Sequence, residues 1–216
     1  MPTLPPGLIL SHGDLGPAAL LGEWLEERGR PYEVHDVSKT PVPALGDALF
    51  VASLGSEQSA NDASLEWVRG ELALLREAVA ADVPVLGLCF GGQALCLALG
   101  GEVSRATPPQ IGWFEISGEI APGPWFHWHY EQLAVPPGAR ELARSPAGPA
   151  AFRKGPHLGV QFHPEVTTEV VTDWSRSAAE LAKLGIDPPA LVEETRCRAP
   201  QSRPLAFALF DAWWGG

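Results

Sequence analysis

Basic residues are scarce in this 216-residue chain: 15 Lys and Arg stand against 26 Asp and Glu, a formal net charge of −11. Nucleic acids and anionic membrane surfaces reward clustered positive charge, so neither is expected as a partner. Cysteine is scarcer still, with Cys89, Cys96 and Cys197 only. Three cysteines cannot all pair within one chain, and their spacing fits no zinc-ligand pattern. A reducing, cytoplasmic setting is the simpler expectation. The first residues, Met-Pro-Thr-Leu-Pro-Pro-Gly, lack the basic and apolar regions of a signal peptide. Residues 83–101 form a charge-free run long enough to span a bilayer, yet they include Pro84, five glycines and Gln93. A strand, a tight turn and a buried helix fit these residues better than a membrane span. No phosphate-cradling loop of the Walker type, internal repeat or domain linker is present.

What is there is an ordinary globular composition, 45% hydrophobic and 19% charged. A chain this long buries enough surface to hold a core without disulfides or a metal, and one domain over residues 1–216 is expected. The first two-thirds alternate strand-like and helix-like segments. Gly7 to His12, Tyr32 to Val37, Ala48 to Leu54 and Val83 to Leu88 read as strands. Pro17 to Gly29 reads as a helix, as does a stretch between Asn61 and Asp82 whose apolar positions are Leu65, Val68, Leu72, Leu75 and Val79. Asn61 or Asp62 could cap that second helix. Such alternation predicts a parallel sheet covered on both faces. Residues 101–159, rich in Pro, Gly and Trp, read as short strands joined by turns. After a strand at Val160 to His163, a helix is predicted over Thr167 to Leu184 with Val170, Trp174, Ala178 and Leu181 on one stripe. Ile186 to Pro204, with four prolines, reads as a loop or broken helix, and Leu205 to Trp214 is apolar nearly all round.

The chemistry concentrates in two places. Gly87-Leu88-Cys89-Phe90-Gly91-Gly92-Gln93 sits where a buried strand runs into a helix, the layout of a nucleophile elbow with cysteine as the central residue. That residue is held in a strained turn, so its neighbours two positions away on either side must be small. Free amides and the helix dipole favour a thiolate there. A buried, inert cysteine in a glycine-rich turn is the competing reading. The strand-turn-helix context favours the nucleophile, whereas Cys96 reads as core and Cys197 as incidental. A thiolate needs a base and a group to orient it. Gln161-Phe162-His163-Pro164-Glu165 supplies both at the end of another predicted strand, with His163 as base and Glu165 fixing its tautomer. His-Pro-Glu is common by itself; its position at the mouth of the same sheet gives it meaning. His127 and His129 flank Trp128, but no third ligand accompanies them, so a structural or substrate-loop role is favoured over a metal site.

Together these motifs resemble the class I glutamine amidotransferases. Pro84 through Gly101, Ile111-Gly112-Trp113, Phe126-His127-Trp128-His129 and Leu158 through Thr167 follow that family's order. The similarity covers roughly residues 45–175 and looks closest to stand-alone members related to the amidotransferase domain of GMP synthase. The resemblance implies a flavodoxin-like, three-layer α/β domain with a mostly parallel central sheet and a small antiparallel extension. It implies a γ-glutamyl thioester on Cys89, release of ammonia and glutamate, and no cofactor. By the same resemblance Gln93 helps to hold the glutamine, and the backbone from Trp128 to Glu131 contacts its amino-acid end.

Two departures stand out. Leu54-Gly55-Ser56 replaces the family's Gly-Gly-Pro, and Gln110-Ile111-Gly112 replaces Glu-Ile-Gly. Gly55 can still offer an N–H to an oxyanion beside that of Phe90, and a peptide flip there would provide a gate. Three functions remain open on the sequence: a glutaminase feeding an acceptor on a separate synthetase, a hydrolase of γ-glutamyl amides or peptides, and a non-catalytic interaction module. A synthetase could dock on the Leu205 to Trp214 segment, whose alternative is a helix closing the core.

Overall fold

The computed structural model describes residues 4–176 and 178–215. Four of the parallel strands are short and apolar: β1 (Gly7–Ser11), β3 (Val51–Ser53), β4 (Val85–Leu88) and β9 (His157–Val160), every residue of which is buried. They stand beside β2 (Tyr32–Asp36), which forms one edge of the sheet. Antiparallel strands β5 (Val103–Gly118), β6 (Gly123–Leu133), β7 (Arg140–Ser145) and β8 (Gly148–Lys154) complete a nine-stranded sheet of order β2-β1-β3-β4-β9-β8-β7-β5-β6.

Strand periodicity divides the core. In β1, Ile9 faces one layer and Leu10 the other; in β3, Ala52 and Val51 divide the same way. One layer receives α1 (Ala19–Glu27) and the C-terminal half of α6 (Pro188–Trp214), through Leu21, Trp24, Leu25, Phe207, Phe210 and Trp213. The opposite layer receives α2 (Glu66–Ala80) and α3 (Phe90–Ala98), through Val68, Leu75, Phe90 and Leu95. This is the three-layer arrangement that the sequence predicts. A smaller cluster packs the β5–β6 hairpin against α4 (Thr168–Trp174), α5 (Ala178–Lys183) and the start of α6, through Ile111, Phe126, Val171, Leu181 and Leu191.

Several expectations need correction. The antiparallel part is no small extension of short strands: β5 runs for 16 residues and β6 for 11. Pro108 and Pro109 lie within β5 because they fall at a register shift between Arg105 and Gln110, where the ladder is already interrupted. The second helix starts at Glu66 after Leu65, which offers no side-chain cap; Asp62 instead closes a turn with the Ser64 N–H at 3.0 Å. The predicted helix over Thr167 to Leu184 is two helices, α4 and α5. Of its stripe, Val170 and Leu181 are buried and Trp174 half-buried, while the Ala178 side chain lies outside the described set.

The largest correction is at the C-terminus. Residues 188–214 form one 27-residue helix, with Pro200 and Pro204 inside it and Pro at its first positions. An interior proline costs a helix about 3 kcal/mol. Burial of Phe207, Phe210 and Trp213 against α1 offsets that cost, since packing outweighs propensity. The Trp213 and Trp214 rings pack on Trp24 and Phe50, so this segment closes the core. No described helix is long and apolar enough to cross a membrane.

Candidate active site

Four of the parallel strands end at one edge of the sheet, where ligands of open α/β sheets bind. His12 follows β1, Gly55 follows β3, Cys89 follows β4 and His163 follows β9. These residues, with Gln93 and Glu131, line a cleft of about 670 Å³.

Cys89 occupies the turn between β4 and α3 at φ +51° and ψ −104°, a region that side-chain-bearing residues avoid. Its N–H donates to the Val160 carbonyl at 2.9 Å. The glycines around it are there for space. A Cβ on Gly87 would fall 2.3 Å from the Gly91 carbonyl oxygen, and one on Gly91 would fall 2.0 Å from that of Ser53. A Cβ on Gly92 would strike the Val160 carbonyl of β9 at 2.3 Å. The Cys89 Sγ lies 3.7 Å from the Trp128 carbonyl and 3.8 Å from Gln161 Nε2. Phe90 opens α3, so its N–H has no acceptor within the helix.

His163 and Glu165 are both buried, with His163 Nδ1 2.8 Å from Glu165 Oε1. Nε2 is thereby left free of Glu165, and Cys89 lies near the imidazole. Burial alone would lower the imidazole pKa. The adjacent Cys89 and Glu165 outweigh it and raise the pKa to about 10, favouring an imidazolium. The His163 backbone N–H donates to the Phe126 carbonyl at 2.8 Å, and Trp174 packs edge-on against the ring at 4.9 Å. Cys89, His163 and Glu165 lie together in this cleft.

Gly55 lies against the His163 ring, where a Cβ would approach Cε1 to 2.9 Å. Both peptides flanking it are held. The Leu54 carbonyl accepts from Gly91 N–H at 3.1 Å, and the Gly55 carbonyl accepts from His12 Nδ1 at 3.0 Å. A flip of the 54–55 peptide would break the first of these bonds, so glycine's freedom alone does not provide a low-cost gate. Gln93 is buried, with its Nε2 on the Glu131 carbonyl at 3.0 Å. Ser59 Oγ donates to both oxygens of the Glu131 carboxylate, at 2.9 and 2.8 Å.

Sequence reasoning missed His12, Glu71, Gln161 and Trp174. Glu71 left a signal: it sits three residues from Val68 and four from Leu75, on the face of α2 that is buried. His127 and His129 bond to each other. His129 Nδ1 lies 2.9 Å from the Glu131 carbonyl and must carry the proton there, leaving Nε2 to accept from His127 Nδ1 at 3.2 Å. Burial keeps both neutral, lowering His129 to about 4 and His127 well below its ordinary value. Among the described residues no group of three or more His, Cys, Asp or Glu is placed to hold a metal.

Residues 58–173, more than half of the chain, match the family model for glutamine amidotransferase class-I. The chain belongs to the class I glutamine amidotransferases. It is 35% identical over 174 residues to the glutamine-hydrolyzing GMP synthase of Aeropyrum pernix, which covers 73% of this chain and 33% of that protein. It is 37% identical over 114 residues to a glutamine-hydrolyzing GMP synthase subunit from Thermococcus kodakarensis, covering 46% of this chain and 61% of that one. The chain thus spans about a third of the first relative and less than two-thirds of the second. Among solved structures, a glutamine amido transferase from Methylobacillus flagellatus superposes with a TM-score of 0.89 at 28% identity, over 98% of this chain and 94% of the other. A glutamine amidotransferase from Thermotoga maritima, at 23% identity and a TM-score of 0.88, shares the fold. The family match includes Cys89, Glu71, His163 and Glu165, whereas His12 and Gly55 fall before it.

Proposed function

We propose that this protein is a cysteine-dependent glutaminase that delivers ammonia to an acceptor. The observation that carries the reading is Cys89 in a strained turn at a helix N-terminus, within reach of an imidazole whose other nitrogen is bound to a buried carboxylate. In the first step the Cys89 thiolate attacks the side-chain amide carbon of glutamine. The C–S bond forms and the carbonyl electrons move onto oxygen, where the N–H groups of Gly55 and Phe90 receive the charge. His163 gives its proton to the amide nitrogen, the C–N bond breaks, and ammonia leaves a thioester. Water then attacks that thioester with His163 taking its proton. The C–S bond breaks, glutamate is released and the thiolate is regenerated.

Glu165 holds the imidazole in the tautomer this cycle needs and stabilises its charged form. Gln93 and the Trp128–Glu131 segment border the cleft where the amino-acid end of the substrate would lie. The acceptor of the ammonia belongs to a separate synthetase; the name of the Thermococcus relative, one subunit of a glutamine-hydrolyzing synthase, supports this. A hydrolase of γ-glutamyl amides or peptides is the second reading. It is favoured by the cleft, whose volume of about 670 Å³ lies in the range that encloses ligands larger than one amino acid.

The test is ammonia and glutamate release by purified protein from free glutamine, beside release of amine from several γ-glutamyl peptides. Stoichiometric ammonia and glutamate, abolished by Cys89→Ser, are expected. Poor use of glutamine with rapid cleavage of a γ-glutamyl peptide would move the second reading to first place.

A further inference from the structure

Behind the cleft lies a second buried histidine–carboxylate pair that the proposed cycle does not use. His12 Nε2 is 2.7 Å from Glu71 Oε2, and both side chains are sealed from solvent, at 1% and 0% exposure. Ser53 Oγ donates to the other Glu71 oxygen at 2.5 Å. The opposite nitrogen, His12 Nδ1, is 3.0 Å from the Gly55 carbonyl. A carbonyl only accepts, and so does an ionised carboxylate, so both ring nitrogens carry protons and His12 is an imidazolium. Its faces are covered by Trp67 and by Phe90, with ring centroids 5.0 and 4.7 Å away.

Burying such a pair is costly unless it is well bonded, and stability alone gives little reason to keep it. Its position gives a better one. The same imidazolium bonds the Gly55 peptide and packs on the Phe90 ring, and these two residues carry the N–H groups assigned to the oxyanion. A carboxylate at the far end fixes the ring, as the partner of a catalytic imidazole does.

We infer that His12, oriented by Glu71, is a positioning residue that fixes the oxyanion site by latching the Gly55 loop against Phe90. The inference rests on the glutaminase reading for its catalytic consequence, but the latch itself is a property of the loop. His12 exchanges no proton with the substrate. It holds the 55–56 peptide through the Gly55 carbonyl, and with it the backbone of the residue whose N–H is assigned to the oxyanion.

The paired change His12→Leu with Glu71→Leu tests the latch, because replacing a buried ion pair by apolar side chains usually preserves the fold. In the paired variant kcat for glutamine should fall by at least roughly tenfold, towards the ~10³-fold that complete loss of one oxyanion donor costs, with KM little changed. Alkylation of Cys89 by iodoacetamide, a displacement at a methylene carbon that forms no oxyanion, should stay within roughly threefold of wild type. His12→Gln, whose amide can still donate to the Gly55 carbonyl, should keep more of the kcat than the paired variant. Hydrogen exchange over residues 54–57 should speed up in the paired variant by roughly tenfold or more. Unchanged kcat and exchange would overturn the inference. So would alkylation falling in step with kcat, or equal defects in both variants, because a merely structural role predicts those. If wild-type protein released no ammonia from glutamine, the glutaminase reading would fail, while the exchange measurement would still decide whether His12 holds the loop.

Discussion

Cys89 is held where no side chain is at ease, and that strain of about 1–3 kcal/mol sets it at the head of α3, lining the cleft. Cys96 offers the contrast within the same helix: burial pushes its thiol up to about 11, and it lies against the Glu102 and Ala134 carbonyls. Cys89→Ser should therefore remove nearly all turnover, by roughly 10³-fold or more, and Cys96→Ser little. His163→Ala should cost more in kcat than Glu165→Gln, because the base moves the proton and the carboxylate only orients it; the opposite ranking at fixed pH would reverse these roles. The buried histidines also set the pH dependence of stability. His129, at about 4 when folded and about 6.5 when unfolded, takes up a proton on unfolding between those values, and His127 does likewise to lower pH. Their contribution is complete above about pH 6.5 and falls by about 1.4 kcal/mol per pH unit for each histidine on acidification. His163 has the opposite sign: raised to about 10, it stabilises most below about pH 6.5 and loses that contribution as pH rises through 10. Urea midpoints between pH 4 and 7 should show a shallower acid loss in His129→Gln than in wild type.

At the scale of elements, α3 is seated by contact rather than by side chains, since Gly87, Gly91 and Gly92 bring backbone against backbone on β3, β9 and the helix itself. Gly91→Ala should destabilise the fold by about 3 kcal/mol or more, because its Cβ would meet the rigid Ser53 carbonyl rather than a movable side chain. In α6 the expectation runs the other way. Pro200 and Pro204 are exposed, so Pro200→Ala should restore a helical bond and raise stability by about 1–3 kcal/mol in chemical denaturation. These two cases show what the sequence could and could not convey. Strand β4 and its glycine turn are legible because the constraint is local: an apolar run, then small residues at fixed offsets around one cysteine. The full length of the C-terminal helix is illegible because its prolines speak against helix locally, while its stability comes from burial of Phe207, Phe210 and Trp213 against a helix almost the whole chain away. Helix α2 begins late for a related reason, Asp62 and Ser64 being committed to a turn of their own.

For the whole molecule, four strand ends far apart in sequence deliver Cys89, His163, Gly55 and His12 to one edge, and topology alone brings them together. Cys89, His163 and Glu165 could be anticipated because each sits in a short motif whose chemistry is self-explanatory. His12 and Glu71 could not be paired in advance: 59 residues separate them, and nothing in either neighbourhood names the other. The Gly55 loop is held at both flanking carbonyls, by Gly91 N–H and by His12 Nδ1. The most direct test of the central claim uses a diazoketone analogue of glutamine, which alkylates a thiolate only after binding as substrate. Incubation of wild-type protein followed by peptide mass mapping should place one adduct on Cys89, with free glutamine protecting against it. An adduct on Cys96 or Cys197, or modification unaffected by glutamine, would contradict the account.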